Sequence, residues 1–126
     1  MLNGKILVVE DDFAVRETLS FVLRSEGFQV QLAENMQEAV ESLQNSWSDV
    51  MLLDLSVQDL DGEVIYSSIL EQFGDVPPTL VLSGAHDGEQ RVEQMSGAEF
   101  LAKPYSVDDL LSRIRKILSQ RSKKAA

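Results

Sequence analysis

Val50-Met51-Leu52-Leu53 is an unbroken apolar run that ends on a carboxylate, Asp54, and then on turn residues. A strand with one solvated face alternates apolar and polar side chains, whereas a strand covered on both faces does not. The run therefore predicts a central strand with a layer above it and another below. Parallel sheets of this kind present the C-terminal ends of their strands to a shared crevice. Asp54 then stands where a dry strand meets solvent. Taken alone, an aspartate there is better explained as a local turn or cap residue.

The same layout recurs along the chain. Lys5-Ile6-Leu7-Val8-Val9 runs into Glu10-Asp11-Asp12, Thr79-Leu80-Val81-Leu82 into Ser83-Gly84, and Phe100-Leu101-Ala102 into Lys103-Pro104. Phe28-Gln29-Val30-Gln31-Leu32 alternates, as a strand nearer the edge does. Apolar residues at helical spacing fill the intervals. Val15, Leu19, Val22 and Leu23 follow Asp12 as N-cap and stop at Gly27. Met36, Ala39, Val40 and Leu43 follow an Asn35/Glu38 capping box. Val64, Ile65, Ile69 and Leu70 follow the 56–62 loop. A weak fourth helix covers about Gly88 to Met95, and Val107, Leu110, Leu111, Ile114, Ile117 and Leu118 mark a fifth after Ser106 and Asp109. Trp47 is expected to close the bottom of the core. Strands alternating with helices predict an α/β fold with a parallel sheet and right-handed crossovers.

A length of 126 residues fits one domain, placed at 1–120, with residues 121–126 as a basic, frayed tail or linker. The chain has no cysteine, which removes disulfides and thiolate metal sites and fits the cytoplasm. Its first residues lack the layout of a signal peptide. No apolar run nears the roughly 18 residues of a membrane span. A net charge of −10 disfavours direct nucleic-acid binding and suits cations and basic protein faces.

Every strand-to-helix connection of such a sheet lies on one edge. That edge receives Glu10, Asp11 and Asp12, then Asp54, then Ser83 and Gly84, and finally Lys103. Carboxylates this close do not all stay ionised unaided: either some pKa values rise, or a cation neutralises them. An all-oxygen site suits a hard cation such as Mg2+, which takes one or two carboxylates together with a phosphate. Aspartate is a known phosphoryl acceptor. A lysine ammonium balances phosphoryl oxygens as a mobile point charge, and the Ser83 hydroxyl and Gly84 N–H are donors beside it.

Ile-Leu-Val-Val-Glu-Asp-Asp (6–12), Leu-Leu-Asp-Leu (52–55), Asp61-Gly62, Leu-Ser-Gly (82–84), Gly97-Ala98 and Lys103-Pro104-Tyr105 occur in the order, and at the strand ends, of a known family. In these pieces the chain resembles a response-regulator receiver domain of two-component signalling, from Lys5 to about Gln120. The resemblance implies a flavodoxin-like (βα)5 fold with a parallel sheet in the order 2-1-3-4-5. Asp54 would be the phosphoacceptor, phosphorylated with Mg2+ by a histidine kinase or histidine phosphotransfer protein. Glu10, Asp11, Asp54 and the backbone carbonyl of Ser56 would hold the metal. Ser83, Gly84 and Lys103 would bind the phosphoryl oxygens, Ser83 and Phe100 would switch, and the bond before Pro104 would be cis. The domain would be a phosphoacceptor rather than an enzyme. Its output face, helix 4–strand 5–helix 5, would bind a downstream protein or a second copy, with Arg113 and Arg115 as candidates there.

Three departures stand out. Gln58 replaces a common proline, the segment from Ser83 to Lys103 is short, and Ala85 replaces a common polar residue. The last two support an alternative, a phosphorylation-independent interaction module on the same fold. A flavin site is disfavoured because Glu10-Asp11-Asp12 would repel its phosphate.

Overall fold

The computed structural model describes residues 4–55, 61–84, 88–93, 95 and 97–125. Among these, five strands alternate with five helices: β1 (Lys5–Val9), α1 (Phe13–Ser25), β2 (Gln29–Ala33), α2 (Met36–Asn45), β3 (Val50–Asp54), α3 (Gly62–Phe73), β4 (Thr79–Ser83), α4 (Gly88–Glu93), β5 (Ala98–Ala102) and α5 (Val107–Ala125). All strand pairs are parallel, in the order β2-β1-β3-β4-β5. This is the flavodoxin-like, doubly wound arrangement expected from the sequence.

Alternation along the strands splits the core in two. Leu7, Val9, Met51, Leu53 and Val81 pack under α2, α3 and α4. Ile6, Val8, Val50, Leu52, Leu80 and Leu82 pack under α1 and α5. All five residues of β3 and of β4 are buried, as their continuous apolar runs require. Trp47 sits against the first of these clusters, its ring edge-on to Phe73 at 5.4 Å.

Helix starts are set by their caps. Asp12, Asn35 and Asp61 each accept from the N–H three residues on, and Ser106 Oγ accepts from Asp109 N. The Glu38 carboxylate of α2 reaches back to the N–H of Glu34 rather than to that of Asn35, a capping box displaced by one residue.

Several expectations are corrected. Met36, Val64, Leu70 and Val107 are exposed, not buried. A helix lying on a sheet buries a narrow stripe. On α3 that stripe is Ile65, Tyr66 and Ile69, which turns Val64 and Leu70 outward. Met36 and Val107 are the first residues of their helices, next to the exposed capping residues Asn35 and Ser106. The expected frayed tail continues α5 as far as Ala125. Residues 119–125 contain neither glycine nor proline to stop the helix. The fourth helix ends at Glu93, short of Met95.

Gly62 opens α3 directly above β3. A Cβ there would lie 2.1 Å from Leu55 Cδ2 and 3.3 Å from Leu53 Cγ, both buried side chains. Gly62→Ala should therefore destabilise the domain by about 1–3 kcal/mol through overpacking, despite the better helix propensity of alanine. Urea unfolding checks this. An unchanged or raised midpoint would show that Leu55 moves aside at no cost.

Candidate acidic site at the strand ends

Register brings the acidic residues together. Val9 is level with Leu53, so the next residues, Glu10 and Asp54, leave adjacent strands side by side. Both are buried, each with 1% of its surface exposed. One strand further, Ser83 is level with Ala102, and Lys103 N donates to Ser83 O at 2.9 Å, extending the ladder past the end of β5. The Lys103–Pro104 peptide is cis. Lys103 Nζ crosses to Asp54 Oδ2 at 2.5 Å, an ion pair between residues 49 apart in sequence. The Lys103 side chain is partly open to solvent, 28% exposed.

Glu10 carries the largest electrostatic perturbation. Burial, followed by hydrogen bonding and charge repulsion from Asp54, pushes its carboxyl from 4.5 to about 8. The Asp12 N–H on Glu10 Oε2 and the Lys103 charge pull the other way without prevailing. Of the two outcomes open to crowded carboxylates, the protein alone takes the first: one of them holds its proton. Burial and the same two acids also raise the Tyr105 phenol.

Two oxygens at this edge, Glu10 Oε1 and Asp11 Oδ1, are buried and have no hydrogen-bond partner. Buried acceptors in that state are costly. Their chemistry, hard carboxylate oxygen beside a third carboxylate, fits a small divalent cation. Among the described residues no ready-made cluster of three acidic or histidine side chains is gathered around one point. A cation here would therefore draw on Glu10, Asp11 and Asp54 together with other oxygen donors. Ser56, Gln58 and Ala85 lie outside the described residues.

Ser83 and Phe100 meet on the α4 side of the sheet. A Cβ on Gly88, the first residue of α4, would lie 2.9 Å from both Ser83 Oγ and Phe100 Cε1. The hydroxyl, the aromatic ring and the start of α4 thus share one packing point. No periodicity signals Gly88, because the requirement is for the absence of a side chain at a tertiary contact.

Arg16, which the sequence does not mark out, fixes the acidic loop from behind. It donates to the Glu10 carbonyl at 2.8 Å and lies 3.5 Å from Glu34 Oε2. Of the two arginines placed on the output face, Arg113 pairs with Glu99 of β5 at 3.0 Å, on that face. Arg115 instead pairs with Glu26 at the end of α1, one step further round α5, and is removed from it.

The model of the response regulator receiver domain family matches residues 6–115. Response regulator MprA of Mycobacterium sp. (strain KMS) is 38% identical over 120 residues, covering 94% of this chain and 52% of the relative. The chain thus spans about half the length of the curated relatives it matches. Among solved structures, NtrX from Brucella abortus superimposes with a TM-score of 0.85 at 26% identity, over 99% of this chain and 29% of that one. The receiver domain of Francisella response regulator 1452 gives 0.80 at 26% identity, over 94% and 99%. With its fold, its strand-end residues and these matches in agreement, the chain belongs to the receiver-domain family of two-component response regulators, phosphoacceptors in signal transduction.

Proposed function

We propose that Asp54 accepts a phosphoryl group, in the cytoplasm, from a histidine kinase or histidine phosphotransfer protein. The observation that carries the proposal is the buried Asp54 carboxylate held 2.5 Å from Lys103 Nζ, with Glu10 beside it. An Asp54 oxygen attacks the phosphorus of phosphohistidine. The O–P bond forms as the N–P bond breaks, and the imidazole leaves with the electron pair and is reprotonated from solvent. Lys103 transfers its charge from the carboxylate to a phosphoryl oxygen, a shift its partly exposed side chain has room to make. The Ser83 hydroxyl and the Gly84 N–H donate to other phosphoryl oxygens.

Glu10, Asp11 and Asp54, with the Ser56 carbonyl, would hold Mg2+; the buried, unpartnered oxygens of Glu10 and Asp11 support this. When bound, the metal neutralises charge on phosphoryl oxygens that would otherwise repel the acceptor. Because Ser83 and Phe100 meet at Gly88, drawing Ser83 toward the phosphoryl group frees space that the Phe100 ring follows. That motion biases the α4–β5–α5 face toward a downstream protein or a second copy. Residues 1–120 form the receiver unit in this reading, and residues 121–126 a tail or linker.

Incubation with acetyl phosphate and Mg2+ tests the reading by intact mass. The expected result is a gain of one phosphoryl group, absent when EDTA replaces the metal. Lys103→Ala should slow the gain by roughly 100-fold or more, as loss of one stabilising charge at a transferring group does. No gain in the unaltered chain, or an unchanged rate in Lys103→Ala, would overturn it.

A further inference from the structure

A second concave feature lies away from the acidic site. α2 and α3 part to leave a groove of about 570 Å³, with Met36 and Val40 on one wall and Ser68 on the other, rimmed by Glu41 and Glu71. Gln37 and Gln72 complete the lining. Met36 is 41% exposed at its head. Apolar side chains left open between two helices provide sockets for those of a third segment.

Charge says which segment fits. No lysine or arginine occurs between Arg24 and Arg91, a span that holds thirteen of the 21 acidic residues. Arg91 is itself held by Glu63 at 2.5 Å through both Nε and Nη2. Apart from Lys5, whose ammonium donates to Ser46 Oγ at the end of α2, and Lys103 at the acidic edge, the remaining described cations lie across the sheet. α2, α3 and α4 cover one face, whereas Arg16, Arg24, Arg113, Arg115 and Lys116 belong to α1 and α5, which cover the other. A concave, low-dielectric surface with charge of one sign concentrates the opposite sign.

We propose that the α2–α3 groove docks a cationic, amphipathic segment of a partner protein, its apolar side chains on Met36 and Val40 and its cations against Glu41 and Glu71. This surface is independent of phosphoryl transfer and is available on the unphosphorylated chain. Nucleic acid and anionic lipid are excluded by the same field.

Fluorescence anisotropy with a labelled Lys/Leu peptide, patterned as an amphipathic helix, tests the proposal. A shuffled peptide of the same composition should bind about tenfold more weakly. Glu41→Lys with Glu71→Lys should weaken the patterned peptide about tenfold or more, and Glu17→Lys with Asp108→Lys, the same charge change on α1 and α5, by less than about threefold. Amide shifts should move along α2 and α3. Equal weakening by both pairs, equal binding of the shuffled peptide, or shifts confined to α1 and α5 would overturn it. So would light scattering that shows a dimer abolished by the Glu41/Glu71 pair, since the groove would then belong to a second copy.

Discussion

An Asp54→Asn chain should gain no phosphoryl group from acetyl phosphate and Mg2+ under conditions that fully load the unaltered chain. Asparagine keeps the shape of the side chain but offers an amide oxygen in place of a carboxylate, and the acceptor must carry charge to be nucleophilic. The fold should survive, because the substitution changes two interactions of opposite sign. Lys103 loses its partner at 2.5 Å, and Glu10 loses the neighbouring charge that helps hold its proton. Circular dichroism should therefore match the unaltered chain, while the rate of phosphorylation falls by at least about 1,000-fold. A full gain in Asp54→Asn would move the acceptor to another carboxylate, with Glu10 and Asp11 the nearest in place.

The second large effect is on stability against pH. Glu10 titrates near 8 in the folded chain and at its ordinary 4.5 when unfolded. Between those values the folded state holds the extra proton, so stability is greatest below about pH 4.5 for this group and is lost as pH rises through 8. The slope is limited to about 1.4 kcal/mol per pH unit for one proton. In EDTA, the unfolding midpoint should drop between pH 5 and pH 8, and Glu10→Gln should flatten that drop. Added Mg2+ should raise the midpoint more at pH 8 than at pH 6, because occupancy of the site by a cation requires the Glu10 proton to leave. A level profile in the unaltered chain, or an undiminished slope in Glu10→Gln, would show that Glu10 is already ionised.

The strand ends were legible because each combines two cues, a run too apolar to touch water and a polar group that stops it. Glu10, Asp54, Ser83 and Lys103 all stand at such boundaries. Parallel topology then placed them on one edge. Which carboxylate holds a proton was not legible, because it depends on Val9 and Leu53 being level in the sheet. Helix faces were read too broadly: at Val64 and Leu70 an apolar residue one position off the stripe fits the periodicity but not the contact. Arg115 was misplaced for a related reason. Two residues along a helix is about 200°, so Arg113 and Arg115 point to β5 and to α1 respectively. Gly88 and Arg16 gave no signal, since a close packing contact with no room for a side chain and a guanidinium aimed at a backbone carbonyl are both tertiary facts.

The most direct test of a single acceptor at a convergent site is a crystal structure of the chain grown with Mg2+ and beryllofluoride. The adduct should sit on an Asp54 carboxylate oxygen, with Lys103 Nζ and Ser83 Oγ on its fluorines and the cation against Glu10 and Asp11. An adduct on any other side chain, or one on Asp54 with Lys103 and the Glu10-Asp11 pair turned away from it, would contradict this account.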